Sequence, residues 1–137
     1  MAQKVGPEFF YQLLTHEIKE LSRIKRQLNL AEHIPAIDNI TIAVVPLKEK
    51  TSEEQIEPVE KVLRDSDVIF PADGYLLLLL PGTDEMGAMH ILEGIADFLE
   101  GSLKFSYVVY PEDGQDAQQL INKLKEKSRR ELGIIIE

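Results

Sequence analysis

The stretch from Val62 to Thr83, VLRDSDVIFPADGYLLLLLPGT, constrains this chain more than any other. It reads as a helix end, a strand, a tight turn and a second strand. Val68-Ile69-Phe70 is a short apolar run, Pro71-Ala72-Asp73-Gly74 carries turn chemistry, and Tyr75 to Leu80 is a second apolar run closed by Pro81-Gly82. Two apolar runs joined through Asp-Gly signal a hairpin, because such a turn demands a positive φ that Gly adopts without steric cost. The leucines from Leu76 to Leu80 cannot alternate between a wet and a dry face. The second strand is therefore predicted to be central and covered on both sides. The run is much shorter than the about 20 apolar residues of a membrane span.

The flanking segments supply elements to cover such a sheet. Residues 7–30 read as a long amphipathic helix, with Pro7 at its first position and Glu8 near its positive end. Phe10, Leu13, Leu14, Ile18, Leu21, Ile24 and Leu28 recur at helical spacing, and the stripe is expected to pack on the chain's own sheet. Residues 31–39 read as a loop with Pro35 and Asp38-Asn39 as breakers. Ile40–Leu47 is β-branched and apolar on both faces, so it reads as a second central strand with Pro46 near its end. Thr51 to Glu54 resembles a capping box for a helix reaching Arg64, which Pro58 kinks or delays.

After the hairpin, Thr83 or Asp84 is expected to cap a helix to about Leu99. Met86, Met89, His90, Ile91, Ile95, Ala96, Phe98 and Leu99 are its apolar positions, and Gly101 its cap. Leu103–Tyr110 reads as a strand with one solvated face, and Pro111-Glu112-Asp113-Gly114 as a turn. A last helix spans 116–131, with Leu120, Ile121 and Leu124 inward and Lys125, Lys127, Arg129 and Arg130 at its basic end. Gly133 ends it, and Ile134–Ile136 is expected to add an edge strand. The order defines an α+β fold with a ferredoxin-like βαββαβ core, an antiparallel central sheet, a leading helix, and a C-terminal helix plus edge strand. The predicted core comprises Ile42, Val44, Leu77, Leu79, Ile91, Ile95, Phe98, Val108 and Leu120.

A chain of 137 residues is read as one domain, with a leading helix at 7–30 and a core at 40–137. Its formal net charge of −9 argues against a nucleic-acid partner or an anionic membrane surface. It has no cysteine, hence no disulfide or thiolate chemistry, which fits a reducing cytoplasm. No signal peptide or membrane insertion is expected.

DSDVIFPADGYLLLLLPGTDEMGA followed by YVVYPEDGQDAQQLINKLKEKSRRELG resembles the second half of a GGDEF domain, the diguanylate cyclase family of bacterial signalling. FFYQLLTHEIKELSRIKRQ and ITIAVVPL resemble the family's leading helix and first strand more loosely. The resemblance implies a glycine-rich hairpin turn and acids that hold a divalent metal. Here that turn reads Ala72-Asp73-Gly74-Tyr75-Leu76, so Gly74 and Tyr75 occupy the acid positions. Val45 or Pro46 stands where the family's first strand supplies another metal ligand. KEKTSEEQ replaces the segment that holds substrate in the family. Oxygen ligation of a metal cannot be built from these side chains. The expectation is a degenerate GGDEF-like domain that is not an enzyme and has no catalytic residue, metal site or cofactor. It would serve as a regulatory or interaction module that binds a protein partner or itself. A nucleotide-processing enzyme is the remote alternative.

Arg64 and Asp67 match the family's R-x-x-D site, which implies a cyclic di-GMP receptor as the main alternative: an Arg fork pairs with guanine or phosphate, and Asp accepts guanine N–H groups. The other reading of the pair is a solvated helix end, where loss of Arg64 would change stability by no more than about 0.5 kcal/mol. Residues 82–100 hold no Lys or Arg and carry Asp84, Glu85, Glu93, Asp97 and Glu100, which repel an anionic dinucleotide. Asp73 is either a residual ligand contact or a turn former. Glu112-Asp113 belongs to a turn. His16, His33 and His90 show no metal-ligand spacing, and His90 is expected to be partly buried in its helix. The basic cluster Lys123–Arg130 reads as a helix end that could also dock an acidic partner.

Overall fold

A computed structural model describes residues 2–28, 38–47, 53–98 and 104–136. Among these, five strands form one mixed sheet flanked by four α-helices. The strands are β1 (Gln3–Lys4), β2 (Ile40–Pro46), β3 (Val68–Ala72), β4 (Tyr75–Pro81) and β5 (Ser106–Tyr110). The helices are α1 (Phe10–Leu28), α2 (Glu53–Val62), α3 (Glu85–Phe98) and α4 (Ala117–Leu132), with a 3₁₀ turn at Pro7–Phe9 before α1.

The sheet order is β1-β3-β4-β2-β5. The hairpin forms as the sequence predicts, with Ala72 opposite Tyr75, so the turn is Asp73-Gly74 alone and Gly74 has φ +85°. Pro71 and Ala72 belong to β3 rather than to the turn. Pro71 is tolerated because β1 pairs only with Val68 and Ile69, so the position of its missing N–H faces no ladder partner. β4 lies between β3 and β2, and β2 between β4 and β5, all antiparallel. Leu76, Leu77, Leu78, Leu79 and Leu80 are all buried. Alternate residues of the run enter opposite cores: Leu77 and Leu79 one, Leu76, Leu78 and Leu80 the other.

The first core joins the sheet to α1 and α4, through Phe10, Leu14, Leu21, Leu120, Ile121 and Leu124. Phe10 meets Phe70 edge-on, with ring centres 4.9 Å apart. The second core joins the sheet to α2 and α3 through Ile56, Val59, Leu92 and Ile95. The two crossover helices thus share one face, and α1 packs on this chain's own sheet. Of the predicted core, Ile42, Val44, Leu77, Leu79, Ile95, Val108 and Leu120 are buried and Ile91 is partly buried, while the Phe98 side chain lies outside the described residues.

Several expectations are corrected. β1 has no counterpart in the sequence reading; it pairs parallel with β3, making the sheet mixed. Leu28 is exposed because the buried stripe of α1 runs through Phe10, Leu14 and Leu21 and does not reach its last turn. Met86, Met89 and His90 are exposed, since Ala88, Leu92 and Ile95 turn the buried face of α3 elsewhere. Ile134–Ile136 is not a strand. Gly133 adopts φ 69°, and Ile134 N–H donates to Ser128 O at 3.3 Å. That turn returns the tail over the end of α4, where Ile136 enters the first core and Ile135 stays exposed. α2 begins before Pro58, which therefore lies inside the helix. Most of the 31–39 loop with His33, the start of the proposed capping box at Thr51, and Leu99, Gly101 and Leu103 lie outside the described residues.

Candidate functional site

Arg64 follows α2, and Asp67 immediately precedes β3. The Asp67 carboxylate is fully buried. Its Oδ2 accepts the Arg64 backbone N–H at 2.9 Å and the Arg64 Nε at 3.3 Å, and its Oδ1 accepts Arg64 Nη2 at 2.9 Å. The same Nη2 donates to Pro81 O at 2.8 Å and to Thr83 Oγ1 at 2.6 Å. The Thr83 carbonyl in turn accepts from Thr41 Oγ1 at 2.8 Å. These bonds tie the end of α2, the start of β3, the end of β4 and the start of β2 into one network. Charge-assisted bonds of this kind are the strong ones in a protein. The reading of Arg64-Asp67 as a solvated helix end is therefore corrected: the arginine side chain is half-exposed, but its partner is buried.

Asp73 lies at the other end of β3 from Asp67, so the hairpin separates these candidates. It is exposed and forms the turn with Gly74. A cavity of about 420 Å³ beside it is lined by Pro7, Glu8, Ala72, Asp73, Tyr75 and Ile135. Register places Pro46 opposite Tyr75 and Val45 opposite Leu76, and Leu47 N–H donates to Gly74 O at 2.9 Å. The end of β2 and the hairpin turn thus meet at one end of the sheet. The side chains they present there are Pro46, Asp73 and Tyr75, while Val45 is buried.

At the opposite end of the sheet, Asp113 ties the 111–114 turn to β5. Its Oδ2 accepts Val109 N–H at 2.8 Å, its own N–H donates to Val109 O, and Lys123 Nζ donates to its Oδ1 at 2.8 Å. Burial disfavours its charged form, but the Lys123 ammonium and the Val109 N–H outweigh that and hold the carboxyl below its ordinary range. Within the basic cluster, Arg130 pairs with Glu126 at 3.0 Å and Lys127 donates to Tyr107 O at 2.6 Å. His16 and His90 are exposed. Among the described residues, no group of three or more His, Cys, Asp or Glu is arranged to hold a metal. No described helix is long and apolar enough to cross a membrane.

No family model matches the chain, and no curated protein gives a significant match. Solved structures do. The GGDEF domain of TpbB, or YfiN, from Pseudomonas aeruginosa superposes with a TM-score of 0.65 at 13% identity, over 94% of this chain and 85% of that one. The fold is that of a GGDEF domain. A DGC protein from Thermotoga maritima is similar as well, with a TM-score of 0.54 at 18% identity, over 92% of this chain and 95% of that one. The GGDEF-like strand and helix order read from the sequence thus agrees with the three-dimensional comparison. Sequence reasoning missed Thr83 as a partner of Arg64 and Asn39 as a partner of Glu112, whose carboxylate accepts the Asn39 amide at 3.2 and 3.3 Å. Neither pairing carries a local signal, being 19 and 73 residues apart.

Proposed function

We propose that this chain is a non-catalytic GGDEF-fold module that acts through a protein partner or through self-association. One observation carries the reading. The pairing of Pro46 with Tyr75 brings together the two places where the family resemblance implies metal-binding acids, and neither place holds one. Hard divalent cations need several oxygen ligands in a compact shell, and Asp73 supplies the only carboxylate of the hairpin turn. The absence of cysteine suits a reducing cytoplasm.

Purified protein incubated with GTP and Mg²⁺ or Mn²⁺ is expected to form no cyclic di-GMP. Reproducible product that disappears in Asp73→Asn would overturn this reading.

The receptor alternative is disfavoured by the network around Arg64. A receptor needs its Arg fork and its Asp turned to the ligand, yet Asp67 is buried and Arg64 Nη2 already meets three acceptors. The carboxylates on α3 add a repulsive field. Titration with cyclic di-GMP at physiological salt is expected to give no binding. A micromolar or tighter complex, worth roughly −8 kcal/mol, that is lost in both Arg64→Ala and Asp67→Ala would establish the receptor instead.

A further inference from the structure

β5 is an outer strand: among the described residues its only strand partner is β2. An outer strand presents main-chain groups on its free side, and these can pair with a strand of another chain. In an antiparallel ladder, alternate residues turn their main-chain groups toward the neighbouring strand and away from it. Tyr107 and Val109 are the residues of β5 that face away, as bonds outside the ladder show. Val109 N–H donates to Asp113 Oδ2 at 2.8 Å, and Val109 O accepts Asp113 N–H at 2.8 Å. Tyr107 O accepts Lys127 Nζ at 2.6 Å. These three groups of the free side are therefore already taken.

The closing side chains are held from α4. Lys123 and Lys127 stand one helical turn apart. Lys123 Nζ donates to Asp113 Oδ1 at 2.8 Å, which leaves Oδ2 for the Val109 N–H. Lys127 belongs to a helix that packs on the first core through Leu120, Ile121 and Leu124, whereas the Tyr107 ring packs against the second. Its ammonium nevertheless sits 4.9 Å from the centre of that ring. A side chain cannot pass through a hydrogen-bonded sheet, so Lys127 rounds the rim and lies across the free side of β5. The ring is anchored in turn by its hydroxyl, which donates to Glu85 of α3 at 3.0 Å. The opposite edge of the sheet is β1, a strand of two residues, too short to template another.

We propose that Asp113, Lys123 and Lys127 keep β5 closed to strand addition by a second copy of this chain. Lysines and covering turns are among the means by which sheet edges are protected. A second copy is the strand excluded, because β5 pairing antiparallel with its own counterpart about a two-fold axis would match each free group with the same group of the other chain. The closure engages two cations of the Lys123–Arg130 cluster within the chain. A native self-association would then use another surface, so this inference and the proposed function fail separately.

Lys127→Met and Asp113→Ala, alone and together, are compared with the parent by sedimentation at about 0.1 mM protein and by amide exchange at two concentrations about tenfold apart. The double variant is expected to self-associate at least about tenfold more tightly than the parent, with the Tyr107 and Val109 amides exchanging more slowly at the higher concentration. Ser106→Ala is the control. It removes the bond from the Ser106 hydroxyl to Glu131 of α4, 2.6 Å long, but frees no main-chain group of β5, and it should behave as the parent. The proposal is overturned if the double variant associates no more than the parent, if association leaves the two amides exchanging at an unchanged rate, or if Ser106→Ala associates as strongly. Where Asp113→Ala does not fold, Lys127→Met decides alone, since Met keeps an unbranched stem over the Tyr107 ring and removes the ammonium. It should associate more tightly than the parent, and parent-like behaviour overturns the proposal.

Discussion

Arg64→Ala is expected to cost about 3 kcal/mol of folding stability, read as a lowered midpoint in urea with little change in slope. The substitution strands a carboxylate that is fully buried at Asp67 and removes the donor that also engages Pro81 O and Thr83 Oγ1. Breaking a buried ion pair from one side typically costs about 3–5 kcal/mol. The low end applies because the arginine side chain is 48% exposed, so water can reach the space it leaves. Asp67→Ala should cost less, because it leaves a half-exposed guanidinium that solvent can hydrate. The double variant should be more stable than the sum of the single losses implies, since the pair couples directly. A loss within about 0.5 kcal/mol for Arg64→Ala would show that the network contributes nothing to stability.

Leu78→Ala and Leu79→Ala are each expected to cost about 2–5 kcal/mol, measured in the same way. The two leucines are neighbours on β4 but point to opposite faces, Leu78 toward α2 and α3 and Leu79 toward α1 and α4. Both are almost wholly inaccessible, and the antiparallel ladders on either side of β4 hold the backbone in place. Truncation therefore leaves a cavity that the sheet cannot close by shifting. A sheet dry on one face only would show the full loss at one position and a small one at the other. A loss below about 1 kcal/mol at either leucine would mean that the face it points to is not packed.

Local chemistry determined much of this molecule. The hairpin was legible because Asp73-Gly74 and the runs beside it carry their signal within a few residues. The run from Leu76 to Leu80 marked a central strand, since continuous apolar side chains have no stable place on a one-sided sheet. Asp116 and Gly133 bounded α4 by capping: Asp116 Oδ1 accepts Gln119 N–H at 2.8 Å, and Gly133 takes the left-handed turn.

Only the tertiary structure decided the rest. β1 is a strand because β3 offers it an edge; Gln3-Lys4 has no periodicity of its own. Met86 and Met89 look like core residues by composition, but the packing of α3 through Ala88, Leu92 and Ile95 turns them outward. Asp67 reads as a surface acid because the acceptors that hold Arg64 beside it, Pro81 O and Thr83 Oγ1, lie 17 and 19 residues along the chain from that arginine. Asn39 acquires Glu112 as a neighbour only when the ladder pairing Ile40 with Tyr110 brings the start of β2 against the end of β5. In each case the partner is distant in the chain. Residue type and local spacing carry no record of such contacts, because they form only once chain closure has been compensated by burial of the two cores.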